Sequence, residues 1–301
     1  MIGSKKRASI DLGTNTCLLL VKEDSPELIL HDESNVVRLG QGVDQNKKLN
    51  PEAMERTFQC LKKYATVVRT FGIEPSEVLA VGTAQARDAE NAAEFFKKIE
   101  NEIGFRFTVL SGDEEAQATF VGAALPGMDA SKIVVMDIGG GSTEIVQSNG
   151  GKSLNIGAVR MTERFLKSDP VTDEEFWKCE SAIDEALQEM KSRISSAHTF
   201  VAVAGTAVTL AMLQLGVQEF DRNKIDGFSL TRGDVHRIVE ELKWRSVAER
   251  KVMLGMEPKR ADVILAGALI FWRVMEVLGF HQAVISTRGL RYGVLKTGLH
   301  C

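Results

Sequence analysis

A short glycine-containing segment occurs twice in this chain, and it restricts the possible folds more than any other feature. Residues 10–20 read IDLGTNTCLLL, and residues 136–146 read MDIGGGSTEIV. In each copy an apolar strand-like stretch ends in an Asp, small or polar residues follow, and a second, largely apolar stretch comes next. Glycine packs no side chain and loses much backbone entropy in a strand, so these glycines indicate a tight turn. The repeat therefore predicts two β-hairpins that open two related domains.

The rest of the chain alternates apolar strand patterns with helical patterns, which predicts an α/β fold. Thr172 with Glu175 three residues later forms a predicted capping box, and Asn50 before Pro51 marks another helix start. Turn residues cluster at 125–131, where the boundary between the domains is expected. Predicted strands cover residues 7–10, 27–31, 35–39, 78–81, 106–110, 132–136, 198–205 and 282–286, and predicted helices cover 51–71, 112–125, 172–194, 206–213, 260–278 and 287–296.

Composition excludes several classes of protein. The chain has 301 residues, 44% hydrophobic and 26% charged, which is typical of a soluble protein with two ordinary domains. Its formal net charge of −4 leaves no basic stripe for a nucleic-acid partner. No apolar run approaches the roughly 20 residues of a membrane helix, and no signal segment precedes the first strand. We therefore expect a cytoplasmic protein with neither nucleic acid nor membrane as a partner.

Several familiar site types are missing from the sequence. The four cysteines form no CxxC pair and no zinc-type cluster, and Cys17 and Cys60 lie in apolar patterns typical of core thiols. This cysteine usage suits a reducing compartment. The histidines show no metal-binding spacing, and the sequence has no P-loop, no strand–GxGxxG–helix unit and no GxSxG elbow. Phosphate chemistry in this chain would need another architecture.

The two glycine turns are themselves candidates for such chemistry. A glycine-rich turn can present several backbone N–H groups to an anion, phosphate above all, although either turn alone could be an ordinary hairpin. If the domains pack about a pseudo-twofold axis, Asp11 and Asp137 face each other, and two carboxylates near phosphate suit Mg²⁺. Further hydroxyl and amide donors come from Thr14, Asn15, Ser142 and Thr143.

Three other segments have both a structural and a functional interpretation. Gly205 and Thr206 end a strand at a helix start, which is an anion site or an ordinary turn with Thr206 as N-cap. Asp113, Glu114 and Glu115 open a predicted helix, where acidic residues suit the helix dipole, but one could be a general base. Arg87 follows a buried strand. Its guanidinium group either binds a phosphate through two N–H groups or lies in solvent.

The ordered motifs resemble the exopolyphosphatase/guanosine pentaphosphate phosphatase family over residues 8–295. They read DLGTNT, VRLGQGV, VGTAQARDAENAAEF, LSGDEEA, DIGGGSTEIV, GAVRMTERF, AVAGTAVTLA, RADVILAGALI and STRGLRYGVL. The resemblance implies two ribonuclease-H-like domains of the actin-like superfamily around a central cleft. It places the domains at residues 1–125 and 126–286, with the C-terminal helix, residues 287–301, completing the first. It also implies a homodimer.

The resemblance further implies roles for individual residues. Glu115 matches the catalytic base, and Arg87 a phosphate-binding arginine. Mg²⁺ or another divalent cation is expected at Asp11, Asp137 and Glu144. Gly205 and Thr206 match the loop that holds adenosine in ATP-binding relatives, and we group them with the phosphate-binding residues. The other expected phosphate-binding residues are Gly13, Thr14, Asn15, Thr16, Gly139, Gly140, Gly141 and Ser142.

The expected reaction is metal-dependent hydrolysis of a terminal phosphoanhydride, with Glu115 deprotonating a water for in-line attack. Inorganic polyphosphate and guanosine pentaphosphate are the two candidate substrates, and the sequence does not separate them. A kinase or ATPase of the same superfold and a non-catalytic phosphate or nucleotide sensor are the alternatives. Family members often carry GSNSxRL where this chain reads GTNTCLL, so Leu18 stands in place of an arginine. The chain resembles the short form, without an added helical region.

Overall fold

The computed structural model describes residues 5–24, 27–194 and 198–298. The chain divides into two units. Unit 1 comprises residues 1–122 and 290–301, and unit 2 comprises residues 123–289. Unit 1 therefore contains the C-terminal segment, which follows unit 2 along the chain. Each unit is built around one mixed β-sheet.

Unit 1 begins with the first predicted hairpin. Its described strands are β1 (Lys6–Leu12), β2 (Thr16–Asp24), β3 (Glu27–Val36), β4 (Leu79–Gly82) and β5 (Phe107–Val109), in the sheet order β3-β2-β1-β4-β5. β1, β2 and β3 pair antiparallel, whereas β1, β4 and β5 pair parallel. Its described helices are α1 (Val43–Asn46), α2 (Pro51–Thr70), α3 (Ala84–Asp88), α4 (Ala92–Glu102), α5 (Gly112–Ala123), which ends across the unit boundary, and α13 (Leu290–Thr297), with a 3-10 turn at Pro75–Glu77.

Unit 2 repeats this arrangement. Its described strands are β6 (Ile133–Ile138), β7 (Thr143–Gln147), β8 (Gly150–Leu154), β9 (Thr199–Val203), β10 (Ser229–Thr231) and β11 (Gln282–Ile285), in the order β8-β7-β6-β9-β11-β10. β6 pairs antiparallel with β7 and parallel with β9, as β1 does with β2 and β4. Its described helices are α6 (Ala158–Phe165), α7 (Asp173–Leu187), α8 (Ala204–Leu215), α9 (Arg222–Ile225), α10 (Arg232–Lys243), α11 (Val247–Lys251) and α12 (Ile264–Leu278), with 3-10 turns at Ala130–Lys132, Gln188–Met190 and Pro258–Arg260.

The shared strand order confirms the predicted fold class, an α/β protein with two ribonuclease-H-like domains of the actin-like type. In each sheet the first hairpin strand lies at the centre, between an antiparallel and a parallel neighbour. β1 and β6 are largely buried because both of their faces are covered, and β6 accordingly reads as a nearly continuous apolar run. The core of unit 2 also encloses α12, in which 11 of the 15 residues are buried.

Local sequence signals predicted several helix ends correctly. The Asn50 side chain accepts a hydrogen bond from the Glu52 amide at 2.8 Å and begins α2. The predicted Thr172–Glu175 capping box is present at the start of α7, because each side chain bonds the other residue's amide. The two predicted hairpins are also confirmed, with Leu12 opposite Cys17 and Ile138 opposite Thr143.

Other predicted boundaries were wrong. The strands expected at 27–31 and 35–39 are one strand, β3, which ends at Val36. The helix expected over 172–194 ends at Leu187, and the helix expected from 260 starts at Ile264 after a 3-10 turn. The closing helix starts at Leu290 rather than at 287. Among the described residues, no helix combines the length and the apolar character that crossing a bilayer requires.

Candidate active site

The turn between β1 and β2 is closed by a hydrogen bond from the Gly13 amide to the Thr16 carbonyl, at 2.8 Å. The segment that follows β3 holds the turn's own carbonyl groups. Thr14 O accepts from the Gly40 amide at 2.8 Å, and Asn15 O accepts from the amides of Val37 and Arg38 at 3.0 and 2.9 Å. Within the described residues, the N–H groups of Thr14 and Asn15 have no acceptor. The turn therefore has the donors of an anion-binding nest.

The turn between β6 and β7 repeats this design. The Gly139 amide donates to Ser142 O at 3.0 Å, the bond equivalent to that between Gly13 and Thr16. Gly140 O accepts from the amides of Val159 and Arg160 at 2.9 and 3.0 Å, at the start of α6. Gly140 and Gly141 have N–H groups without an acceptor in the part of the chain that the structure describes.

Close packing fixes this second turn against α6. The Arg160 Nε donates to Gly141 O at 2.7 Å, and the Arg160 side chain is buried. Gly157 precedes the helix, and a Cβ on Gly157 would lie 2.5 Å from Gly140 O. A side chain at position 157 would therefore displace the turn. The GAVRMTERF and VRLGQGV motifs thus have the same structural role, because each holds the carbonyl groups of one turn.

Glu115 lies in the first turn of α5 and is buried, at 8% exposure. The Arg87 Nη1 donates to Glu115 Oε2 at 2.8 Å and also to Leu110 O at 2.7 Å. Burial raises the pKa of Glu115, while the Arg87 charge and hydrogen bond act in the opposite direction. Arg87 therefore does not simply lie in solvent, which was one of the two interpretations of the sequence. It fixes the orientation of the Glu115 carboxylate.

Glu114 has a different environment from its neighbour. Its Oε2 accepts from the Ser111 amide and from Ser111 Oγ, both at 2.8 Å, so it caps α5. The backbone hydrogen bond from Ser111 lowers the pKa of Glu114. Of the two Glu residues in the LSGDEEA motif, Glu115 is therefore the one that has a raised pKa and that could act as a base.

Asp11 is the last but one residue of β1, two residues before Gly13 of the turn. Burial and the nearby Glu115 charge raise the pKa of Asp11 to about 7, although the Arg291 guanidinium acts to lower it. Arg291 itself is held by Asp32, through two hydrogen bonds of 3.0 Å. Unit 1 thus brings together four predicted features: Asp11, the Gly13–Thr16 turn, Arg87 and Glu115.

Unit 2 brings together Asp137, Glu144 and the Gly139–Ser142 turn. Asp137 and Glu144 are opposite each other in the β6–β7 register, and Glu144 is buried. Ser153 Oγ donates to Glu144 Oε1 at 2.6 Å and positions that carboxylate. Among the described residues, no three His, Cys, Asp or Glu side chains form a metal-binding group by themselves. Two cross-strand carboxylates nevertheless suit a hard cation that completes its shell with phosphate oxygens and water.

The β9–α8 segment differs from the prediction in its local structure. α8 begins at Ala204 with Val203 at the N-cap, so Thr206 lies inside the first turn and is not the cap residue. Ala204 adopts φ 67°, an uncommon conformation for a residue with a Cβ. A Cβ on Gly205 would lie 2.1 Å from Arg260 Nη1, so the guanidinium packs directly on this glycine. Any anion at this turn would lie beside Arg260, which the sequence reasoning did not single out.

Gln85 is a second residue that the sequence reasoning missed. Its Nε2 donates to Leu12 O at 2.6 Å, and its Oε1 accepts from Thr14 Oγ1 at 3.3 Å. It therefore ties the end of β1 to the turn. Two predicted donors are also used within the protein, because Thr14 bonds Gln85 and Thr143 Oγ1 donates to Ile156 O at 2.6 Å. The Gly-Thr-Ala tripeptide at 82–84 and again at 205–207 could have indicated related strand ends in both units.

Two ribonuclease-H-like units, each with a glycine-containing turn shortly after a strand-end Asp, define an actin-like protein. The Ppx/GppA phosphatase family profile matches residues 20–300, and the chain belongs to that family. It is therefore a phosphatase, a hydrolase of phosphoanhydride bonds.

Individual relatives agree with this assignment. Exopolyphosphatase 2 of Mycobacterium tuberculosis is 34% identical over 95% of this chain and 96% of its own length. A bifunctional 3-dehydroquinate synthase/phosphatase of Fusobacterium nucleatum is 32% identical over 97% of this chain, which spans 46% of that longer protein. The crystal structure of an exopolyphosphatase from Cytophaga hutchinsonii superposes with a TM-score of 0.88 at 28% identity, covering 98% of both chains.

Proposed function

We propose that the chain is an exopolyphosphatase, which removes the terminal phosphate of inorganic polyphosphate with the help of a divalent cation. The observation that carries the proposal is the buried Glu115 carboxylate, held at 2.8 Å by Arg87 beside the Asp11 turn. The names of the Mycobacterium tuberculosis and Cytophaga hutchinsonii relatives support this substrate. In this reaction a water oxygen attacks the terminal phosphorus, the bond to the bridging oxygen breaks, and orthophosphate leaves.

Glu115 acts as the general base and takes the proton of the attacking water. Its raised pKa suits this role, because a base works best when its pKa approaches the working pH. Arg87 fixes the carboxylate through Nη1, and its other guanidinium N–H groups have no hydrogen-bond acceptor among the described residues. These N–H groups can bind a phosphate oxygen.

The turns supply the charge stabilisation that phosphoryl transfer mostly depends on. In unit 1 the amides of Thr14 and Asn15 bind phosphate oxygens, and in unit 2 those of Gly140 and Gly141 do so. Because the turn carbonyls are already bonded within the protein, the amides are oriented before the substrate arrives.

Within unit 2, a divalent cation, Mg²⁺ for example, would be held by Asp137 and Glu144, which lie opposite each other on β6 and β7. When bound, it supplies positive charge for the phosphate oxygens. The Ser153 hydroxyl donates to Glu144 Oε1 at 2.6 Å and keeps this buried carboxylate oriented.

The test is phosphate release by the purified protein from long polyphosphate, short polyphosphate, guanosine pentaphosphate and ATP, with Mg²⁺ and with a chelator. We expect release from polyphosphate that the chelator abolishes. Glu115→Gln should lower the rate about 10²–10⁴-fold, the usual contribution of a general base. Glu114→Gln is the matched control, since Glu114 only caps α5; it should retain most of the activity.

Each other outcome has a definite meaning. Release from guanosine pentaphosphate alone would agree with the proposed mechanism but contradict polyphosphate as the substrate. Release from ATP alone would contradict the proposal in favour of an ATPase or kinase. Equal loss in the Glu114 and Glu115 variants would remove the base assignment. The homodimer and the cytoplasmic location stay predictions.

A further inference from the structure

Gln85 lies on α3, beside the point where β1 ends and the turn of unit 1 begins. Parallel pairing places Leu12, the last residue of β1, opposite Gly82, the last residue of β4, and α3 starts two residues later. The Gln85 side chain is buried, at 2% exposure, and the proposed reaction gives it no role. Because buried polar side chains are nearly always hydrogen-bonded, its partners show which segments it holds in place.

The hydrogen bonds of Gln85 fix the direction in which its amide group faces. Nε2 donates to Leu12 O at 2.6 Å, and Oε1 accepts from Thr14 Oγ1 and Thr83 Oγ1, each at 3.3 Å. A carbonyl oxygen can only accept, so the amide nitrogen must face Leu12 and the amide oxygen must face the two hydroxyls. One side chain thus connects three segments: the end of β1, the turn, and the residue that follows β4.

The same contact removes the Thr14 side chain from the group of phosphate donors. Thr14 is buried, and its only hydroxyl proton is donated to Gln85. Gly40 packs against both side chains, because a Cβ at position 40 would lie 2.4 Å from Thr14 Cγ2 and 3.0 Å from Gln85 Cβ. The Gly40 amide also donates to Thr14 O at 2.8 Å. Thr14 can therefore offer a phosphate its backbone N–H, and Gln85 and Gly40 determine the direction of that N–H.

We propose that Gln85 is a positioning residue for phosphate binding, which holds the turn of unit 1 in the conformation that presents the Thr14 and Asn15 amides. In this role Gln85 acts through Thr14 and Leu12 rather than by contact with the substrate. The role rests on the proposed function, since it requires that the turn binds a phosphate. The hold of Gln85 on the turn itself does not depend on which reaction the protein catalyses.

Gln85 is expected to affect substrate binding rather than proton transfer. The turn amides would contact phosphate oxygens in the bound substrate as well as in the transition state, and loss of such an interaction raises KM with little change in kcat. Arg87, two residues after Gln85 on α3, bonds Glu115 directly at 2.8 Å. A change at Gln85 leaves that pair in place, so the pH at which kcat/KM falls on the acidic side should not move.

The first test is phosphate release from polyphosphate by Gln85→Met, which keeps the size of the side chain and removes its hydrogen-bonding atoms. We expect KM to rise about tenfold or more with kcat nearly unchanged, since a displacement of about 1 Å can cost on the order of 10²-fold. Gln147→Met is the matched control, because Gln147 is also buried, lies in unit 2, and donates to Arg193 O at 2.7 Å. Both variants leave a carbonyl group without its donor and should lose stability, but only Gln85→Met should change KM.

Two further variants test the path of the effect. Thr83→Val removes one of the two hydroxyls that bond the Gln85 amide, so KM should rise by a smaller factor, and this variant decides the proposal if Gln85→Met does not fold. Thr14→Val and Gln85→Met remove one shared contact, so the double variant should have about the KM of the more affected single variant. Increases in KM that multiply would overturn the action through Thr14.

The second test does not need turnover. Four amides report on the turn in hydrogen exchange measured by NMR, because they donate to its carbonyl groups: those of Gly13, Val37, Arg38 and Gly40. We expect faster exchange at these amides in Gln85→Met and no change there in Gln147→Met. Unchanged exchange and KM in Gln85→Met would overturn the proposal.

A lower kcat with a shifted acidic limb in Gln85→Met would also overturn it, because the effect would then lie at Glu115. If the unchanged protein hydrolyses none of the substrates, the proposed function fails. Hydrogen exchange at the four amides, together with calorimetric binding of inorganic tripolyphosphate, would then still decide whether Gln85 positions the turn: slower exchange or unweakened binding in Gln85→Met would contradict it.

Discussion

Arg87 gives the clearest case of a residue whose contacts define its role. Its Nη1 bonds both the Glu115 carboxylate and Leu110 O, so it joins the start of α5 to the helix after β4. A buried carboxylate without such a partner is costly, because burial disfavours its charged form. Arg87 therefore fixes the orientation of Glu115 and opposes the rise in its pKa that burial causes.

Arg87→Ala tests this role. Arg87 lowers the pKa of Glu115 against the effect of burial, so its removal should raise that pKa further. A base must be deprotonated to act, so the acidic limb of the kcat/KM profile should move to higher pH. The value of kcat/KM should also be lower than in the unchanged protein at every pH. Arg106→Ala is the control: Arg106 pairs with Glu100 at the exposed surface, and its profile should not move. An unchanged acidic limb in Arg87→Ala would contradict the pairing.

Asp11 makes a prediction for stability. Its pKa is raised from 3.8 to about 7 in the folded protein, so the folded state holds a proton that the unfolded state releases. The free energy of unfolding therefore falls as the pH rises from about 4 to 7. Asp11→Asn should remove this loss and stabilise the protein at pH 8 by up to about 4 kcal/mol. Urea unfolding with a chelator at both pH values measures it, and an equal effect at pH 4 and 8 would contradict it.

At the scale of elements, both hairpin turns depend on a neighbouring segment. Residues 37–40 hold the carbonyls of the first turn, and residues 157–160 hold those of the second. The hairpins themselves were predictable, because Asp, glycine and strand patterns are local signals. The clamping segments were known only as family motifs, since their contacts join residues about twenty positions apart. Gln85 and Arg260 were missed because nothing local marks a side chain that reaches another strand end.

Gly157→Ala tests the clamp on the second turn. Its Cβ would lie 2.5 Å from Gly140 O and 2.6 Å from Gly141 C, so α6 or the turn must move. We expect a loss of stability of about 1–3 kcal/mol, as overpacking usually costs, together with a marked loss of phosphatase activity. Gly233→Ala in α10 is the matched control, since its Cβ meets nothing closer than 3.8 Å. Denaturant unfolding and phosphate release measure both, and normal activity in Gly157→Ala would contradict the clamp.

At the scale of the whole molecule, the chain returns to unit 1 after unit 2 is complete. α13 belongs to unit 1 through close contacts. Arg291 forms its two 3.0 Å hydrogen bonds with Asp32 of β3, and the Tyr292 hydroxyl donates to the same carboxylate at 3.0 Å. Unit 1 therefore lacks part of its core until the end of the chain is in place.

Gly293→Ala should weaken unit 1 selectively. A Cβ at this position would lie 1.7 Å from Ala118 O, so α13 cannot keep its place against α5. The three tryptophans, Trp177, Trp244 and Trp272, all lie in unit 2. We expect faster hydrogen exchange in unit 1 peptides at a denaturant concentration where the tryptophan fluorescence of unit 2 stays native. If fluorescence and unit 1 exchange instead change together, the units unfold as one cooperative body, and the C-terminal helix stabilises the entire chain rather than unit 1 alone.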